Sequence, residues 1–319
     1  MQPFSFGIYP GSATGAESGL LTGLPDRPEA IISALNELQP VEKPFIVRAY
    51  MGYIGAGKVE AITPGNFLQY LAPNRKLDLV LCYRAIDDPF EVWTNFVRSI
   101  IRQYGADLTT LQITEEANST GPGGDGITPN VRAALVAGVL AAKAEVQRLG
   151  LTIRIGFSAT INFNPADDFW TDLLKIGGQP FVESLDYVAL DFFADVFIPL
   201  PPNVQLEEAV RHVLHQFRNV SMAQAQIPAT VPIYIGENGW PTSANRSCER
   251  QAEVLETIIR TIYDERQTFN IHRYELFNLR DADSSQDDIF YQFGILRDDY
   301  SQKPAYQVFQ KLVTELTAL

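Results

Sequence analysis

The sequence predicts a closed (β/α)8 barrel. Three observations predict it: eight short apolar runs each followed by a helical pattern, a composition with no break along 319 residues, and polar residues at the end of every run. Strict alternation of strand and helix implies parallel strands with right-handed crossovers. Eight such units favour closure into a barrel over a doubly wound open sheet. No Pro-, Ser- or Gly-rich linker divides the chain, so one barrel domain over 1–319 is expected.

The elements follow in order. Phe4–Tyr9 is a first short strand ending in Pro10-Gly11, and Pro28–Leu38 has helical spacing through Ile31, Ile32, Leu35 and Leu38. Pro44–Met51 is the second strand, and Pro64–Leu71 a weak helix after it. Leu77–Arg84 is the third strand. Phe90–Tyr104 is an amphipathic helix with Trp93, Phe96, Val97, Ile100 and Ile101 on one side. Leu108–Ile113 is the fourth strand, ending in Thr114-Glu115-Glu116. The helix after it has Thr128 as a cap, Pro129 at its first position and Gly150 at its end. Thr152–Thr160 is strand five, with a helix around Phe169–Leu174; Leu185–Phe193 is strand six, with a helix at Leu206–Gln224. Val231–Glu237 is strand seven and Glu249–Arg266 its helix; Arg273–Leu279 is strand eight and Pro304–Leu316 the last helix.

Composition narrows the function classes. Apolar content of 46% with 20% charged residues suits a globule with a full core. Thirty-eight acids against 25 bases give a net charge of −13, and no Lys/Arg block is present, which argues against nucleic-acid or anionic-membrane partners. The start, MQPFSFGIYPGS, lacks the basic patch and apolar run of a signal peptide, so a cytoplasmic location is expected. The sequons at Asn118, Asn219 and Asn245 then carry little meaning. Cys82 in a strand and Cys248 opening a helix read as two reduced thiols. A monomer is favoured.

The polar residues fall where a barrel builds its active site, at the carboxyl ends of the strands. These ends carry Tyr9, Arg48, Tyr83-Arg84, Glu115-Glu116 with Asn118, Asn162, Asp191, Glu237 with Trp240, and Arg280-Asp281. Each has a structural alternative: the arginines as ion-pair partners, Asp191 as a loop cap, Glu237 as a cap for the helix near Ser247. All eight ends being polar together points to an active-site floor. Glu237 closes the stretch VPIYIGENGWPTS, where an acid ends a buried strand beside an aromatic platform. Two carboxylates on different strands suit acetal chemistry, one protonating a departing sugar oxygen and the other attacking or activating water. In LQITEE, Leu111 and Ile113 share one face and Gln112, Thr114 and Glu116 the other, so alternation points Glu116 inward and Glu115 away.

With Glu116 ending strand four and Glu237 ending strand seven, the chain resembles the clan A (β/α)8 retaining glycoside hydrolases. The resemblance runs from Phe4 to the closing segment FGILRDDYSQKPAY, and ENGWPTS is similar to the nucleophile strand of members that cleave β-glucans or galactans. It implies Glu116 as acid/base, Glu237 as nucleophile, retention of configuration, Arg48 as a support for the nucleophile, and no cofactor. Tyr9, Tyr83, Glu115, Asn118, Asn162, Asp191, Trp240 and Arg280 would then face the sugar. Three positions depart from the clan's pattern: Glu115 stands where Asn precedes the acid/base, Asp191-Phe192-Phe193 replaces a His/Tyr pattern, and Leu279-Arg280-Asp281 replaces a Trp.

Other readings compete. A metal hydrolase needs inward His or carboxylate ligands, whereas His212 and His215 fall mid-helix on the expected outside and only His272 remains. The loops after strands seven and eight are acidic and would repel phosphate. Gly121–Gly126 matches G-x-G-x-x-G, but it lies beyond its strand and holds Asp125, which suits an active-site loop better than a dinucleotide site. A carbohydrate-binding barrel without catalysis, keeping Trp240, Phe192 and Tyr9 as stacking surfaces, is the alternative from another class.

Overall fold

Runs such as Leu79-Val80-Leu81 and Ile233-Tyr234-Ile235 are buried on both faces, as strands roofed by helices must be. The computed structural model describes residues 4–16 and 19–317. Eight parallel strands form the barrel: β1 (Ser5–Ile8), β2 (Phe45–Gly55), β3 (Arg75–Tyr83), β4 (Leu108–Ile113), β5 (Arg154–Thr160), β6 (Tyr187–Asp191), β7 (Ile233–Asn238) and β8 (Ile271–Leu276). β1 pairs with β8 through Ser5 and Arg273 and with β2 through Phe6 and Phe45, which closes the ring. The predicted (β/α)8 barrel is the fold.

Seven main helices surround it among the described residues: α1 (Pro28–Leu38), α2 (Phe90–Tyr104), α3 (Val131–Leu149), α4 (Phe169–Ser184), α5 (Leu206–Gln216), α6 (Cys248–Glu265) and α7 (Pro304–Thr317). The eighth position differs from expectation. After β2 the chain turns through Ala56 and Gly57, at φ 52° and 73°, and returns as an antiparallel strand, Lys58–Thr63. Two positive-φ residues at the tip match the twist a two-residue hairpin needs. Of the helix expected at Pro64–Leu71 only one 3-10 turn, Phe67–Tyr70, forms.

Other boundaries move for local reasons. α3 begins after Asn130, which takes a left-handed conformation (φ 60°), so neither Thr128 nor Pro129 opens it; Gly150 (φ 64°) ends it as expected. α4 continues ten residues past Leu174, kinking at Gly178, because Phe181 on its second half is wholly buried. α5 extends to Gln224 through a π-helical turn, Phe217–Ser221. The Ser247 side chain accepts from the Arg250 N–H at 3.1 Å and so caps α6 itself. Glu237 is free of that task. Both cysteines are unpaired, and no helix among the described residues is long and apolar enough to cross a membrane.

Candidate active site

The barrel interior beneath the strand ends is ionic, where most such barrels stack branched aliphatic side chains. Arg48 on β2 is 1% exposed. It donates to Asp78 at 2.6 Å, to Gln112 at 3.0 Å and to the Tyr50 hydroxyl at 2.7 Å, with Glu115 at 3.5 Å and Glu275 at 3.7 Å. Arg273 on β8 donates across the barrel to Thr110 at 2.9 Å and to Glu275 at 3.2 Å. Buried charges persist only when paired and hydrogen-bonded in this manner.

On this base the strands bring four carboxylates to one cleft of about 1090 Å³: Glu115, Glu116, Asp191 and Glu237. Glu237, near the end of β7, accepts a hydrogen bond from the Tyr50 hydroxyl, and Arg48 Nε lies 4.0 Å from the same oxygen. Asp191 is its register partner on β6. Between them Gly236 leaves no room for a side chain, since a Cβ there would stand 2.6 Å from Asp191 Oδ1.

Alternation fails after β4. Thr114 and Glu116 both have positive φ, 67° and 43°, and this break turns Glu115 as well as Glu116 into the cleft. The Asp125 carboxylate holds the bend by accepting from the Glu115 N–H at 2.8 Å, and Ser158 Oγ accepts from the Glu116 N–H at 3.0 Å. Glu115 is 5% exposed and tied to Gln112 Nε2 at 2.6 Å, whereas Glu116 is half-buried and open to the cleft.

Glu115, Glu116 and Asp191 each place an oxygen within 4.8 Å of the others, the one group among the described residues with the spacing to hold a cation. The same spacing suits shared protons. Burial, with the negative charge of neighbouring acids, holds both glutamate carboxyls well above the ordinary range. Burial and the nearby Glu237 push Asp191 up to about 7. Among the described residues neither Asp191 oxygen receives a hydrogen bond of normal geometry, although the Ser158 hydroxyl and Glu237 N–H oppose the rise.

Buried acids elsewhere behave alike: burial pushes Asp125 up to about 7 and Glu275 up to about 8. A carboxyl with a raised folded pKa stabilises the fold below its unfolded value, near 4, and loses that contribution as pH rises through the folded value. Glu145, drawn down to about 2 by Arg148 and Arg102, acts only below this window. The melting temperature should therefore fall by about 5–10 °C between pH 5.5 and 8.5. Calorimetry at three pH values checks this, and a rising melting temperature would contradict the buried protons.

The other residues expected in the site lie elsewhere. Arg48 acts from beneath the floor. Tyr9 is wholly buried, its hydroxyl paired with Thr63 and its ring stacked 5.4 Å from Phe277. Tyr83 faces outward onto Trp93 of α2. Asn118 clamps the Thr160 backbone with two hydrogen bonds of 2.9 Å, and Asn162 accepts from the Asn164 N–H within its own loop. Trp240 is 3% exposed, covered by Arg246 at 4.6 Å, with its carbonyl accepting from Gln251. Arg280 ties Ser12, Leu24 and Asp26 together and is fully buried. None of these six lines the cleft.

The reverse also occurs. His212 of α5, expected on the outside, stands at the cleft rim stacked 5.1 Å from Phe163. Sequence reading passed over Tyr50, Gln112 and Ser158 as functional residues. Tyr50 had a signal, since it follows Arg48 by two positions and so shares its face.

No protein-family profile matches the chain, and no curated protein does. Solved structures do match. A family 39 glycoside hydrolase from Bacteroides cellulosilyticus WH2 is 15% identical, with a TM-score of 0.65 over 99% of this chain and 64% of its own. A glucosidase from Croceicoccus marinus is 14% identical, with a TM-score of 0.65 over 99% of this chain and 71% of its own. The family 17 β-1,3-glucanosyltransferase of Rhizomucor miehei is 16% identical, with a TM-score of 0.56 over 95% and 97%. The chain thus spans just under two thirds of the first of these and nearly all of the last. The chain shares with these glycoside hydrolases and the glucanosyltransferase the (β/α)8 barrel fold, at 14–16% identity.

Proposed function

We propose that the protein is a glycoside hydrolase acting on β-linked glycosides with net retention of configuration. The observation that carries the reading is the placement of Glu237 and Glu116 on β7 and just beyond β4, facing one cleft in different surroundings. Glu237 has the Tyr50 hydroxyl as donor and the Arg48 cation nearby, the setting a nucleophilic carboxylate uses. Glu116 has no such partner among the described residues, and burial holds its proton, the setting of a general acid that later serves as base. Glu115, fixed by Gln112, occupies the place beside the acid from which a neighbouring sugar hydroxyl would be held. Glu237 attacks the anomeric carbon as Glu116 protonates the departing oxygen. Glu116 then deprotonates the water that releases the sugar.

The test is hydrolysis of a panel of aryl β-glycosides and soluble β-glycans, with the anomer of the first-formed product read by NMR. The β-anomer is expected. An α-anomer would replace retention by inversion. Binding of glycans without turnover would favour the non-catalytic barrel.

A further inference from the structure

The cleft is far larger than its acidic floor. Above the carboxylates, the loops after β5, β6 and β8 wall it with Phe163, Phe193, Phe197, Ile198, Leu200 and Phe293. Several of these stand in solvent: Phe163 is 50% exposed, Phe197 52% and Ile198 79%. They are not core residues that missed burial, because the β6–α5 loop, FFADVFIPLPPN, is apolar over most of its length and lies against the cleft. Exposed apolar side chains gathered at one cleft mark a binding surface.

The chemistry of this wall favours an apolar occupant over another sugar. Its rings are phenylalanines and its remaining members aliphatic, and they outnumber the polar side chains Asp195, Glu208 and His212 that line the cleft beside them. Sugar hydroxyls placed against the apolar members would lose water without gaining partners. Trp240, the indole that could have served as a sugar platform, is buried behind the site. A cavity of about 1090 Å³ also stands at the upper end of the usual span of drug-sized ligand sites, ~300–1,000 Å³.

We infer that the apolar wall is an aglycone site, and that the preferred ligands are glycosides carrying a large hydrocarbon aglycone, an alkyl chain or a fused-ring body. The inference rests on the hydrolase reading only for the orientation of the glycosidic bond, with the sugar over the floor and the apolar group leaving toward the β6–α5 loop. Each methylene withdrawn from water strengthens binding about fourfold.

The experiment uses the full chain carrying Glu237→Gln, so that ligand is not consumed, with the neutral fluorophore N-phenyl-1-naphthylamine as reporter. Octyl β-D-glucoside below its micelle concentration should displace the reporter at a concentration at least tenfold lower than methyl β-D-glucoside. Phe197→Ser and Ile198→Asn, both at exposed positions that do not hold the core, should each cut that preference severalfold. Equal displacement by octyl and methyl glucosides would overturn the inference, as would a preference that both variants leave intact. Octyl preference in a protein that hydrolyses nothing on the panel would leave this site standing and remove the hydrolase reading.

Discussion

Glu237→Gln is expected to lower turnover of any accepted β-glycoside by about 10⁴-fold or more, the scale at which losing one member of a covalent catalytic unit stops the whole sequence. The amide keeps the shape and still accepts from Tyr50, so the protein should fold as the wild type does. What it loses is the proposed nucleophile. Glu116→Gln should cost less, about 10²–10⁴-fold, and the cost should shrink with leaving groups that need no proton. Comparing a dinitrophenyl with an alkyl β-glycoside separates the two roles. If both variants respond identically to leaving group, the assignment of acid and nucleophile is wrong. Glu115→Gln offers a control on the neighbouring acid: should it match the Glu116 variant in its leaving-group dependence, the acid would be reassigned to Glu115.

Arg48→Met should produce the largest loss of stability. Arg48 is the cation shared by Asp78, Glu115 and Glu275 and stands 4.0 Å from Glu237, so its removal takes the shared cation from several buried carboxyls and leaves only Glu275 with a second one, Arg273. Breaking one buried pair costs about 3–5 kcal/mol, which for a chain of this size lowers the melting temperature by about 10 °C. Arg48→Lys keeps the charge but cannot reach Tyr50, Gln112 and Asp78 together, and should fall between the two. Calorimetry at pH 7 decides the matter. A Met variant melting within about 2 °C of wild type would show that the ionic interior is self-sufficient without it.

The alternation of apolar runs with helical patterns made the barrel legible, because parallel strands buried on both faces leave an unmistakable trace in sequence. The hairpin Lys58–Thr63 was hidden by its position, an alternating stretch standing where the repeat called for a helix. The placement of the strand-end residues was legible only in part. Asp191 and Glu237 lie in strands and line the cleft together. Glu115 did not follow its strand, since two positive-φ residues beside it overrule the two-residue period. Trp240 and Arg280 lie beyond the last strand residue, where tertiary packing sets the direction of the chain and no local period records it. Tyr83 shows the opposite failure: it is on its strand, but on the face that meets α2.

The ionic barrel interior also governs how the chain assembles. The hydrogen bond from Arg273 to Thr110 joins residues 163 positions apart, and Arg48 on β2 answers to Glu275 on β8. Neither the first half of the barrel nor the second contains both partners of these pairs. Each half does hold a matched pair of its own, Arg48 with Asp78 and Arg273 with Glu275, so a half-barrel satisfies part of this network and leaves the rest open. The pairings that join the two halves are long-range, and distant pairings slow folding. The groups that prepare the floor of the cleft thereby gain their full set of partners only when the barrel closes.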